Sequence, residues 1–155
     1  MEHLTARDIM QTEVVTVTPE ATAREVADLL AEKKVSGVPV VDADRHVVGI
    51  VTEGDLILQD ADLHFPRYVQ FLDGVIYLES VRKFEERFRK AFGARVADVM
   101  SAEVITVGPE AGVHEMATLM ADHSVNRLPV VGDDGVLLGI VTRGDVVRAI
   151  ARSQG

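Results

Sequence analysis

Apolar positions along the chain fall into short β-branched runs alternating with stripes of helical period. Val14, Val15 and Val17 form one such run, and it ends at Thr18-Pro19-Glu20. Threonine can cap a helix, proline suits its first position and glutamate complements its dipole, so a helix is expected from near residue 19. Ala23, Val26, Ala27, Leu29 and Leu30 recur at the spacing of one helix face and read as core. Val38-Pro39-Val40-Val41, a polar stretch over 42–46 and Val47-Val48-Gly49-Ile50-Val51 then predict a β-hairpin with one deeply buried strand.

The same pattern returns 90 positions later, the separation of Met10 from Met100. At that offset Glu13-Val14-Val15-Thr16-Val17 lies on Glu103-Val104-Ile105-Thr106-Val107, and Pro39-Val40-Val41 lies on Pro129-Val130-Val131. Gly49-Ile50-Val51-Thr52 falls on Gly139-Ile140-Val141-Thr142, and Gly54-Asp55 on Gly144-Asp145. The second helical stripe is Val113, Met116, Ala117, Leu119 and Met120, and Gly132-Asp133-Asp134-Gly135 is a strong turn signal between its two strands. Each copy reads strand, helix, strand, strand, helix, which makes the protein an α/β pair of pseudo-symmetric repeats. A unit this short buries a core poorly alone, so the copies are expected to pack together and form matching clefts about a pseudo-two-fold axis. The expected organisation is a first repeat over 1–58, an insert over 59–93 and a second repeat over 94–155.

The insert differs in composition from both repeats. It holds every aromatic side chain of the protein: Phe65, Tyr68, Phe71, Tyr77, Phe84, Phe88 and Phe92. From Val75, the positions Val81, Phe84, Phe88 and Phe92 make one helical face with Arg and Lys on the others, so a basic amphipathic helix ending at Gly93 is expected. Four roles compete for it: packing at the interface of a homodimer, contact of 75–92 with an anionic membrane surface, a lid over a ligand, and a docking face for a regulated partner.

With 155 residues, 47% hydrophobic, the chain can enclose an ordinary core. Neither a membrane span nor a signal peptide is readable, and the expected location is the cytoplasm, either as a free chain or as the soluble part of a membrane-associated protein. The absence of cysteine removes disulfides and thiolate chemistry. A net charge of -9 argues against nucleic acid as the main ligand. His3, His46, His64, His114 and His123 show no pair at a close ligand spacing, so no metal site is expected. Signatures of hydrolases and transferases are missing, which argues against an enzyme and a catalytic cofactor.

Candidate chemistry lies in Thr52-Glu53-Gly54-Asp55 and Thr142-Arg143-Gly144-Asp145, each directly after a buried strand. One reading is a capping box, with threonine and aspartate exchanging bonds across the first helical turn. The other is a ligand site, in which amides and hydroxyl hold phosphate while the aspartate accepts bonds from a ribose. Repetition alone favours neither.

The context of these motifs does favour one. Met10-Gln11 and Met100-Ser101, the Val-x-Thr-Val strand starts, Val35-Ser36-Gly37-Val38-Pro39 with Val125-Asn126-Arg127-Leu128-Pro129, and the two Gly-Ile-Val-Thr-x-Gly-Asp closings occur twice in one order and spacing. In this the chain resembles the cystathionine β-synthase (CBS) domain family, as a tandem pair or Bateman module. The resemblance implies a non-catalytic regulatory module that binds an adenosyl ligand (AMP, ADP, ATP, S-adenosylmethionine or NAD) between the repeats and signals occupancy to an enzyme or transporter. It implies Thr16 and Thr106 at the cleft edges, Val38-Pro39 and Leu128-Pro129 flanking adenine, Thr52 and Thr142 near phosphate, and Asp55 and Asp145 on ribose. Arg127 and Arg143 stand where the first repeat has Gly37 and Glu53, so a cleft lined by arginine is expected to prefer more phosphate, unless both are solvated surface side chains. The alternative function is a structural dimerisation module with vestigial clefts.

Overall fold

The computed structural model describes residues 3–56, 68–71, 74–77 and 94–153. The elements of the first repeat are α1 (Ala6–Ile9), α2 (Ala23–Lys33), β1 (Gly37–Val41) and β2 (Val47–Thr52). The second repeats them as α3 (Val96–Val99), α4 (Val113–His123), β5 (Arg127–Val131) and β6 (Leu137–Thr142), followed by α5 (Arg143–Ser153). Between the repeats, β3 (Tyr68–Phe71) and β4 (Gly74–Tyr77) pair antiparallel. The stretch from Val75, where an amphipathic helix was expected to begin, is thus a strand, while Val81, Phe84, Phe88 and Phe92 lie outside the described residues.

The two hairpins carry one register. Val38 faces Val51 and Pro39 faces Ile50, as Leu128 faces Val141 and Pro129 faces Ile140, and both ladders slip one residue further on. The strand expected at 14–17 contracts to one parallel bridge, in which Val17 donates to the Pro39 carbonyl at 3.2 Å and accepts from the Val41 amide at 2.9 Å. Proline has no amide to give, so this edge of β1 uses the carbonyl of Pro39 and the amide two residues on.

Helix α2 starts at Ala23 rather than near residue 19. Thr18 makes a turn to the Ala21 amide, while Thr22 caps the helix, accepting from Glu25 N at 3.1 Å as the Glu25 carboxylate accepts from Thr22 N at 3.3 Å. An earlier start is blocked because the carbonyls of Pro19 and Ala21 accept from the amides of Ala97 and Val96.

Those bonds belong to a crossover absent from the linear pattern. The opening segment of each repeat packs on the other: Ala6 joins the core of Val107, Met116, Leu128, Val130 and Val141, whereas Val96 joins that of Val17, Val26, Val38, Val40 and Val51. Gln11 bridges to Ile140 and Ser101 to Ile50, so each β-hairpin gains a partner from the opposite half. The crossover explains Gly49 and Gly139. A Cβ on Gly139 would lie 2.6 Å from Met10 Sδ and 2.8 Å from the Gln11 carbonyl; on Gly49 it would lie 2.5 Å from Met100 Sδ. The hairpin tips also meet, His46 bridging to Val136.

Candidate functional site

Where the repeats face each other they enclose two clefts of about 380 Å³ each. The first is lined by apolar Val14, Val15, Val38 and Pro39 together with polar Gln11, Lys34, Thr142 and Arg143. The second is lined by Thr52, Glu53, Gly54 and Asp55 opposite Ser124, Val125 and Asn126, with Ser101 and Glu103 at its side. Each cleft takes its Thr-x-Gly segment from one repeat and its pre-strand segment from the other. Ser36, Asn126, Arg127 and Arg143 border both.

Both Thr-x-Gly-Asp segments form capping boxes. Asp145 Oδ2 accepts from Thr142 N at 2.9 Å and from Thr142 Oγ1 at 3.0 Å, and the Asp145 amide donates back to Thr142 Oγ1 at 3.3 Å. Asp55 repeats this on Thr52 at 2.8, 3.3 and 3.4 Å. Their surroundings then diverge. Asp145 is 8% exposed, meets Arg148 at 2.6 Å through Oδ1 and receives Gln11 Nε2 at 3.3 Å, whereas the half-buried Asp55 lines the second cleft. A ribose approaching Asp145 has to displace the Arg148 guanidinium.

Arg127 is the most constrained cation of the site, 8% exposed at the junction of the clefts. Its Nε donates to Asn126 Oδ1 at 3.0 Å and its terminal nitrogen donates to Ser36 Oγ of the opposite repeat. Burial lowers its pKa from the ordinary guanidinium range, and the nearby Glu53 carboxylate opposes that shift. The guanidinium lies over Gly37, on which a Cβ would sit 2.6 Å from it. The same Cβ would lie 2.9 Å from Thr52 Cγ2 and 3.0 Å from the Val51 carbonyl, so glycine at 37 is enforced jointly by its own hairpin and by the arginine at its pseudo-symmetric position.

The structure gathers Val38, Pro39, Arg127, Thr142 and Arg143 at the first cleft, and Thr52, Asp55, Arg127 and Arg143 at the second. Several expected residues fall elsewhere. Thr16 and Thr106 are outside both linings, next to Val17 and Val107, which are drawn into the cores by their bridges to Val40 and Val130. Leu128 and Pro129 line neither cleft, whereas Val38 and Pro39, equally buried, border the first. Asp145 is withdrawn onto Arg148. The expectation that arginine would mark one cleft is also corrected, since Arg127 and Arg143 border both. Residues that sequence reasoning passed over include Gln11, Lys34, Ser36 and Asn126. Gln11 and Ser101 follow the duplicated methionines, a signal that could have marked them, but only the crossover brings them to the clefts.

Outside the clefts, Asp42, Asp44 and His46 bring ligand-type atoms within 4.8 Å of one another at the first hairpin turn. Asp42 Oδ1 already accepts from the amides of Asp44 and His46 at 2.9 and 2.8 Å. Among the described residues no helix is long and apolar enough to cross a membrane.

A two-fold architecture with paired clefts at the repeat junction defines a class, and comparison with known proteins agrees. The CBS domain family matches residues 6–62 and 96–152, and the chain belongs to that family as a tandem pair. It is 33% identical over 156 residues to the Methanocaldococcus jannaschii protein MJ1426, covering 96% of this chain and 92% of that one. It is also 33% identical over 140 residues to the chloroplastic CBS domain-containing protein CBSX2 of Arabidopsis thaliana, spanning 57% of that protein's length. The crystal structure of CBSX2 in complex with AMP superposes with a TM-score of 0.74 at 30% identity, covering 97% of this chain and 98% of that chain.

Proposed function

We propose that the chain is a non-catalytic regulatory module that binds an adenosyl ligand between its repeats and passes occupancy to a partner protein or domain. The observation that carries this is the first cleft. The apolar lining from Val14, Val15, Val38 and Pro39 suits a base, and the same cleft offers the Arg143 and Arg127 cations to phosphate. The AMP complex of CBSX2, a relative of the same architecture, supports adenine nucleotide as the ligand class. Regulation follows from linkage: a ligand touching both repeats favours whichever arrangement of the halves it binds better, and a coupling of about 1 to 3 kcal/mol biases a partner. The module works as a homodimer, with the insert over 59–93 as the route of transmission.

Calorimetry with AMP, ADP, ATP, S-adenosylmethionine and NAD tests the reading. At least one should bind, and Arg143→Ala should weaken it. A second reading, a dimerisation module with vestigial clefts, is favoured by the capping boxes, which already satisfy Asp55 and Asp145 within the protein. Failure of the whole panel selects it.

A further inference from the structure

The two clefts are copies of one another with different charges. Shifted by 90 positions, Lys34 of the first corresponds to Ser124 of the second, and Arg143 to Glu53. The shared Arg127 and Arg143 are thus joined in the first cleft by Lys34 against one carboxylate, Glu13. In the second they face three carboxylates: Glu53, Asp55 and Glu103. Volume does not separate the clefts, since both hold about 380 Å³. Opposed local charge does, because a phosphate dianion is attracted to one rim and repelled by the other. The apolar linings differ as well, Val38 and Pro39 bordering the first cleft while their counterparts Leu128 and Pro129 border neither.

We infer that the clefts take different ligand classes: the first a phosphorylated nucleoside, the second a nucleoside that carries no phosphate or bears a positive charge. This rests on the nucleotide-binding reading above and sharpens it into a sensor of two chemically distinct species. Arg127 links the two sites. Because Arg127 borders both clefts, a phosphate that engages its charge in the first leaves the carboxylates of the second less neutralised and favours a cationic occupant there.

Calorimetric titration of the full chain with AMP, and of AMP-saturated chain with S-adenosylmethionine, tests this. The wild type should take up one equivalent of AMP, and the saturated protein should then bind one equivalent of S-adenosylmethionine without releasing AMP. Glu53→Arg should add a second equivalent of AMP and abolish the S-adenosylmethionine step. Lys34→Ser should weaken AMP about threefold, the size expected of an exposed ion pair, with the loss shrinking in high salt. Two equivalents of AMP with affinities within tenfold in the wild type would overturn the inference and leave nucleotide binding standing. Displacement of AMP by S-adenosylmethionine, or no uptake of it by the saturated chain, also overturns it. No binding of either compound overturns the inference as well, and the nucleotide-binding reading falls with it only if ADP, ATP and NAD also fail.

Discussion

The first and second hairpins share register, slip and a glycine seat for the opposing methionine, yet their turns and caps are closed by different residues. Gly135 takes the left-handed conformation at φ 82, while Arg45 holds the corresponding position at φ 65. Thr22 caps α2 through its side chain, and Gly112 stands at the same place before α4 with no side chain to do so. The comparison teaches which features the architecture demands. Glycines 49 and 139 are needed wherever the crossover presses a chain against the sheet, whereas turn and cap chemistry is interchangeable at modest cost.

The largest expected break comes at those glycine seats. Gly139→Ala drives a Cβ toward the Gln11 carbonyl as well as Met10 Sδ, while at Gly49 the nearest atom is the flexible Met100 sulfur and the nearest carbonyl, Ser101, is 3.1 Å away. Overpacking of this kind costs about 1 to 3 kcal/mol, so Gly139→Ala should lie near the upper end and Gly49→Ala near the lower in denaturant melts. Equal losses would mean that the two crossovers are equally adaptable.

Next is the asymmetry at Gly37. Gly37→Ala should destabilise by about 1 to 2 kcal/mol in the wild type through the clash with Arg127, and by measurably less in an Arg127→Ala background. A double-mutant cycle with no coupling would show that the guanidinium does not rest on Gly37.

The caps come third. Thr22→Ala should cost about 1 kcal/mol, whereas Gly112→Ser should gain a few tenths by supplying the missing cap, both read as shifts in the unfolding midpoint. At the turns, Arg45→Gly should stabilise by about 0.5 kcal/mol because relief of the left-handed conformation exceeds the entropy lost by glycine. Gly135→Ala should do the reverse.

The smallest contrast is in acid. The His46 amide holds the Asp42 carboxyl below its ordinary value of 3.8, and the second repeat has Gly132 at that place. A depressed folded pKa contributes stability above the unfolded value, lost as pH falls through the lower folded one. Melts of wild type and Asp42→Asn should therefore differ above pH 4 and converge as the solution is made more acidic.

Much of the fold was legible because it is local and repeated. Val38 to Val41, the helical stripes at Val26 and Met116, and the Thr-x-Gly-Asp segments announce themselves through period and turn chemistry, and the 90-residue offset shows that the halves are equivalent. The site was read in part. Val38, Pro39, Thr52, Asp55, Thr142 and both arginines line clefts, but Gln11, Lys34 and Ser36 were invisible as partners because they become neighbours only across the pseudo-two-fold interface.

By itself, the sequence determined the duplicated α/β units, their hairpins and the helical stripes between them, since each depends on residues within a few positions of one another. Tertiary structure alone decided that each opening segment completes the opposite core, that α2 starts four residues later than Pro19 suggests, and that Arg127 serves both clefts. Such outcomes turn on contacts between segments about 90 residues apart, where the burial of Ala6 and Val96 and the competition for the Pro19 and Ala21 carbonyls outweigh local preference.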